Sequence, residues 1–226
     1  MNPMDNRLEL SQKAWKLRES GKLMESMAIW QELYYAYVQE QNWERAISTL
    51  IDIAICWKIK GEISGKKLFF ETALATLKNI KHIAEREHID LRNDYDYHLA
   101  GVETALGAYE KAIASYEHYL STSKTPEEEA NILAHVGFAK ASHGQKEEGI
   151  EILKKAIEMF LESQKENNFQ GKDVFRIWKL GAKLRLAQLL DDKKEARELL
   201  EEVLEEAKEK NLGARRKQAE TLLKNL

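Results

Sequence analysis

Proline is almost missing from this chain, with 2 in 226 residues, and there are only 11 glycines. A sheet protein with many turns needs more of both. A single cysteine, Cys56, excludes an internal disulfide. It stands in the apolar string IDIAICW, which reads as a buried thiol rather than a reactive one. No apolar run approaches the ~20 residues that a membrane helix needs. The opening MNPMDNRLEL has no basic stretch followed by an apolar one, so no export signal is expected. These absences favour the cytoplasm, where thiols stay reduced. Neither sign of charge dominates: 35 Lys and Arg face 38 Asp and Glu, a net charge of −3. No whole-chain basic field exists to draw in nucleic acid.

Motifs that carry chemistry are also missing. The histidines are His82, His88, His98, His118, His135 and His143, and no two have the i, i+4 spacing that puts both rings on one helix face. HExxH, GxGxxG, GxxxxGK[ST] and GxSxG do not occur. Cys56 has no evident histidine partner. The expectation is a protein that is not an enzyme, with no metal and no cofactor. Arg215-Arg216-Lys217 is the only compact basic cluster, and without interleaved aromatics it reads as a solvated helix end.

What is present is helical periodicity. With 43% apolar and 32% charged residues, the chain is too apolar for disorder. Ala196, Leu199, Leu200, Val203, Leu204 and Ala207 draw one stripe on a helix. Leu153, Ala156, Ile157, Phe160 and Leu161 repeat its spacing. Thr125-Pro126-Glu127-Glu128 offers an N-cap and a first-turn proline, and Asp192 and Asn42 offer two further caps. Gly21, Gly61, Gly107, Gly144 and Gly213 each follow a periodic stretch and are expected to end it. The β-branched run Ile51–Ile55 continues a helical stripe on both sides and reads as helix. Eleven helices follow, near 5–20, 22–40, 43–60, 63–86, 93–106, 108–122, 126–143, 145–166, 172–190, 193–210 and 213–225.

The glycines also mark a repeat. LGAYEKAIASY (106–116) and HGQKEEGIEIL (143–153) are its clearest copies, and LDDKKEARELL (190–200) is a third. SGKLMESMAIW (20–30) and KGEISGKKLFF (60–70) are weaker. Small residues precede four of the five turns, at Ala14, Ala54, Ala100 and Gly137, and follow four, at Ser26, Ala112, Gly149 and Ala196, with Lys66 an exception. Large ones come next at Trp30, Phe70, Tyr116, Leu153 and Leu200. This pattern resembles the tetratricopeptide repeat (TPR) family. The turns are spaced more widely than the family's usual ~34 residues, so the repeats are degenerate and their helices or linkers longer.

The resemblance implies an all-α fold: a right-handed α-solenoid of about five antiparallel helix pairs plus a terminal capping helix, as a single domain over 1–226. The polar stretches 88–96 and 162–173 are candidate hinges. It also implies function: a protein–protein interaction module, scaffold or adaptor, holding a peptide or helical segment in an apolar concave groove. Carried over by distance from each turn, the groove residues are Trp15, Ile51, Ile55, Lys58, Tyr97, Ala134, Phe138 and Arg185. Cochaperone members of the family clamp a C-terminal carboxylate with Lys and Asn in their first two repeats. Here Ser11, Trp15, Ile51 and Ile55 fill those slots, so chaperone-tail binding is not implied.

Two alternatives stand beside this reading. One is a structural homo-oligomer. Its contacts would be the aromatic N-terminal helices, with Trp15, Trp30, Trp43 and Trp57, or faces of opposite charge. Residues 91–170 sum to −6 and residues 171–226 to +3. The other is a ligand-responsive regulator. The expected partner is a protein or peptide, not nucleic acid or a membrane.

Overall fold

Periodic apolar stripes and end signals become helices almost where they are expected. In the computed structural model the described residues are 3–91, 93–121, 125–166 and 173–226. Among them are eleven α-helices and no strand: α1 (Pro3–Glu19), α2 (Leu23–Gln39), α3 (Trp43–Ser64), α4 (Lys67–Arg86), α5 (Asn93–Ala105), α6 (Tyr109–Leu120), α7 (Pro126–Ser142), α8 (Lys146–Lys165), α9 (Asp173–Leu189), α10 (Lys193–Glu209) and α11 (Gly213–Asn225). The proposed caps form. Thr125 accepts from Glu128 N at 3.2 Å, Asp192 from Lys194 N at 2.8 Å, and Asn42 from Arg45 N at 3.3 Å. The run Ile51–Ile55 lies inside α3. Of the expected hinge at 162–173, residues 167–172 lie outside the described residues, as does Arg92 in 88–96.

Two turn assignments need correction. Gly61 does not end a helix: α3 runs on to Ser64, and the left-handed residue is Gly65, φ +67°. A side chain on Gly61 would run into the Phe70 ring, 2.6 Å from the Cβ position, so this glycine serves a close contact. Gly213 does not end a helix either but opens α11, and the preceding left-handed residue is Asn211, φ +57°. Gly21, Gly107 and Gly144 do have positive φ.

The chain divides into two compact units, Met1–Val102 and Glu103–Leu226, the division falling inside α5. Within the first, consecutive helices α1 to α4 pack on one another. Its core gathers Ala14, Met27, Trp30, Leu33 and Cys56, with Trp15 and Trp57 packed against it. Ser26, one of the small repeat positions, is wholly buried and donates to Ala14 O at 2.8 Å, which draws α2 onto α1.

Within the second unit consecutive helices pack in the same way from α6 to α11, and α7 and α11 also touch α9. The core here is Ala130, Ala134, Leu153, Ala156, Phe160, Ala182 and their neighbours. The α7–α8 pair is the tightest. A Cβ on Gly137 would stand 2.6 Å from the Gly149 carbonyl oxygen and 3.0 Å from Leu153 N. Two helix backbones approach this closely only where side chains are missing. Large residues beside these gaps are fully enclosed: Tyr116 and Leu153 are 0% exposed and Leu200 is 1% exposed.

Candidate functional site

The positions expected to face a groove divide between the two units, and each set is described within its own unit. In the first unit Trp15, Ile51, Ile55, Lys58 and Tyr97 are all half-buried. Trp15 leans on the α1–α3 core. Lys58 reaches Glu62 Oε1 at 2.6 Å, one turn on. The Tyr97 ring meets His98 edge-on, centroids 5.1 Å apart. In the second unit Ala134 is 0% exposed and belongs to the core, while Phe138 is half-buried against it. Arg185 is half-buried on α9 and directs Nη2 to His135 Nε2, 2.9 Å away.

Sequence reasoning missed a polar cluster in the first unit. Arg18, near the end of α1, donates from Nε to Glu19 Oε1 at 2.8 Å and from Nη1 to Asp52 Oδ1 on α3 at 2.5 Å. Arg18 and Glu19 are buried. Burial works against the Arg18 charge, but Glu19 and Asp52 outweigh it and hold the guanidinium pKa above its ordinary value. For Asp52 the balance runs the other way: burial pushes its carboxyl up by more than Arg18 pulls it down. Burial, with the Lys58 and Arg18 cations adding to it, pushes the His98 imidazole down to about 3, though part of the residue's surface stays open. Cys56 is enclosed, 3.6 Å from Ser26 Oγ, and burial lifts its thiol to about 11. A thiol so far from ionising is a poor nucleophile.

The second unit has a chain of polar contacts through His135. Tyr116 Oη lies 3.0 Å from His135 Nδ1. A guanidinium has only donors, so Arg185 must donate to an unprotonated Nε2. His135 then carries its proton on Nδ1 and donates it to the Tyr116 oxygen. Tyr116 and His135 are buried, as expected of a satisfied histidine. Among the described residues no group of His, Cys, Asp and Glu side chains has the arrangement to hold a metal ion, and no helix is long and apolar enough to cross a membrane.

No family model matches the chain, and no curated protein matches it either. Solved structures do. A Podosopora anserina protein described as a putative kinesin light chain with nearly identical TPR-like repeats superposes with a TM-score of 0.53 at 17% identity, covering 92% of this chain and 99% of that one. A point variant of the same protein gives 0.54 at 17% identity, covering 93% and 99%. The likeness extends over nearly all of both chains, and it coincides with consecutive helix packing and small residues at the helix contacts. The chain has the TPR-like helical-repeat fold.

Proposed function

We propose that this protein is an interaction module, an adaptor or scaffold without catalytic residues, working in the cytoplasm and binding a peptide or helical segment of a partner protein. The fold class is one that generally mediates protein–protein contacts. The observation that supports the reading best is a set of half-buried apolar side chains on first helices of successive pairs. Trp15 is on α1, Ile51 and Ile55 are on α3, Tyr97 is on α5, and Phe138 is on α7. Such residues have surface left to bury, and a few aromatic or branched anchors carry most of the energy of a peptide contact. Lys58, on α3 of the first unit, and Arg185, on α9 of the second, are half-buried charged positions of the same reading.

The test is capture of partners from the lysate of the source organism, comparing the wild type with a Tyr97→Ala, Phe138→Glu double variant of unchanged helicity. Partners held by wild type and lost by the variant support the groove. Capture that persists at wild-type level overturns it.

A further inference from the structure

We infer that Met24 is an oxidation site, and that a sulfoxide formed there takes the Lys60 ammonium off the Trp57–Phe69 ring pair and bares both rings. None of these four residues is an expected groove position, so the inference stands apart from the peptide-binding reading.

The methionine sulfurs are unequally open to water. Among the methionine side chains described, Met27 is 7% exposed, Met159 is half-buried and Met24 is 57% exposed. Met24 is the second residue of α2, and Lys60 is near the end of α3. Lys60 Nζ stands 3.2 Å from Met24 Sδ. The same ammonium lies 4.7 Å from the Phe69 ring centre and 5.2 Å from that of Trp57. Those two rings, from α4 and α3, have centres 5.8 Å apart and planes 11° from parallel. All four residues belong to the first unit.

No strong acceptor takes part in this arrangement. A thioether sulfur accepts weakly, and a ring face attracts a cation through its quadrupole, not through a lone pair. Among the described residues Lys60 pairs with no carboxylate. The acids closest to it in sequence and at the start of α2 serve other lysines: Glu62 holds Lys58, Glu71 holds Lys67 and Glu25 holds Lys22. An ammonium held only by soft, polarisable groups gains by moving to a hard oxygen brought within its reach.

Oxidation supplies that oxygen. A lone pair of the exposed sulfur attacks the terminal oxygen of a hydroperoxide. The S–O bond forms and the O–O bond breaks. The transferred oxygen passes its proton to the leaving oxygen, which departs as water or an alcohol. Sulfur has then given up two electrons and the peroxide has taken them. The sulfoxide oxygen accepts from the ammonium in a charge-assisted contact of about 2.8 Å. A reductase reverses the step with two thiols, which leave as a disulfide while the oxygen leaves as water. A sulfoxide is disruptive where it forms inside a core. Met24 lies at the surface, so the fold is kept and Lys60 moves. Trp57 and Phe69 then present an aromatic surface that the reduced protein covers with a charge.

The experiment treats the full chain with hydrogen peroxide and follows it by peptide mapping and by NMR of the lysine side chains. Met24 is expected to oxidise on the order of tenfold faster than the buried Met27. In step with it, the Lys60 methylene signals, shielded by two ring faces, should shift downfield toward those of the other lysines. A methionine sulfoxide reductase should restore them. In Met24→Leu the Lys60 signals should stay still under peroxide. In Met24→Gln, whose amide oxygen stands in for the sulfoxide oxygen, they should be shifted without any oxidant. Oxidation of Met24 no faster than that of Met27 overturns the inference. So do Lys60 signals that stay fixed while Met24 is oxidised, or that move equally in Met24→Leu. Loss of helicity while Met24 alone is oxidised overturns it as well, because the site would then be part of what holds the fold.

Discussion

At the scale of residues, the first unit places charge where burial opposes it. Arg18 is balanced by two carboxylates, yet Asp52 is held above its ordinary range because burial outweighs its one cation. His98 sits by the same cluster with its pKa pushed down to about 3 by burial first and then by Lys58 and Arg18. The sign of the pH effect follows. An unfolded chain protonates this histidine near pH 6.5, while the folded protein resists the proton until about 3. Between those values the unfolded state holds more protons, so stability falls as the pH falls. We expect the urea midpoint of wild type to drop between pH 7 and pH 5, and His98→Gln to flatten that slope. Equal slopes in both proteins would mean that His98 titrates normally. This cluster was hard to read from sequence for a plain reason. Arg18 and Asp52 belong to different helices, and periodicity reports which face a residue occupies but not which charge meets it across a gap. Arg185 was legible as a surface position on its helix, whereas its contact with His135 was not. Arg215 read as part of a solvated basic end, and only the packing of α11 against α9 shows it lying over Gly181.

At the scale of elements, two effects of opposite sign meet at Gly137. Glycine inside a helix costs about 1 kcal/mol relative to alanine, so helix propensity favours Gly137→Ala. Against this, the added carbon would press on the Gly149 carbonyl and the Leu153 amide, both backbone atoms that cannot swing aside. Overpacking of this kind costs about 1–3 kcal/mol, and it wins because separating α7 from α8 disturbs the tightest helix pair of the unit. We expect Gly137→Ala to lower stability by about 2 kcal/mol in denaturant melts. A stabilised variant would show that the helices part easily. The same small residues made the fold legible in the sequence, since a glycine or alanine at a fixed distance from a turn has no local reason to be there. Helix ends were legible where caps and turn glycines coincide, as at Thr125 and Gly144. They misled at Gly61, which resembles a stop signal although its purpose is to admit Phe70. Gly65, four residues later, takes the left-handed conformation.

At the scale of the whole molecule, the alternative of self-assembly through charge meets a specific obstacle. Summed along the sequence, residues 91–170 are acidic and residues 171–226 basic, which suggests copies joining head to tail. The ion pairs within the second unit do not follow those sums. Lys146 and Lys154 of the acidic stretch already hold Asp191 and Glu195 of the basic one, and Lys179 and Lys183 are matched with Glu206 and Glu202. The aromatics of the first unit are engaged in a similar way. Trp30 is in the core, Trp57 stacks on Phe69 at 5.8 Å beneath Lys60, and Trp43 lies under Arg86. With these ion pairs and ring contacts made inside one copy, we expect the protein to remain a monomer of 26.2 kDa by light scattering. This should hold even at ionic strengths near 0.01 M, where charges act over about 30 Å. A doubled mass that reverts on adding salt would restore the charged-face assembly. A doubled mass indifferent to salt would instead point to apolar side chains still exposed on the first unit, Leu8, Met24, Tyr35 and Leu68.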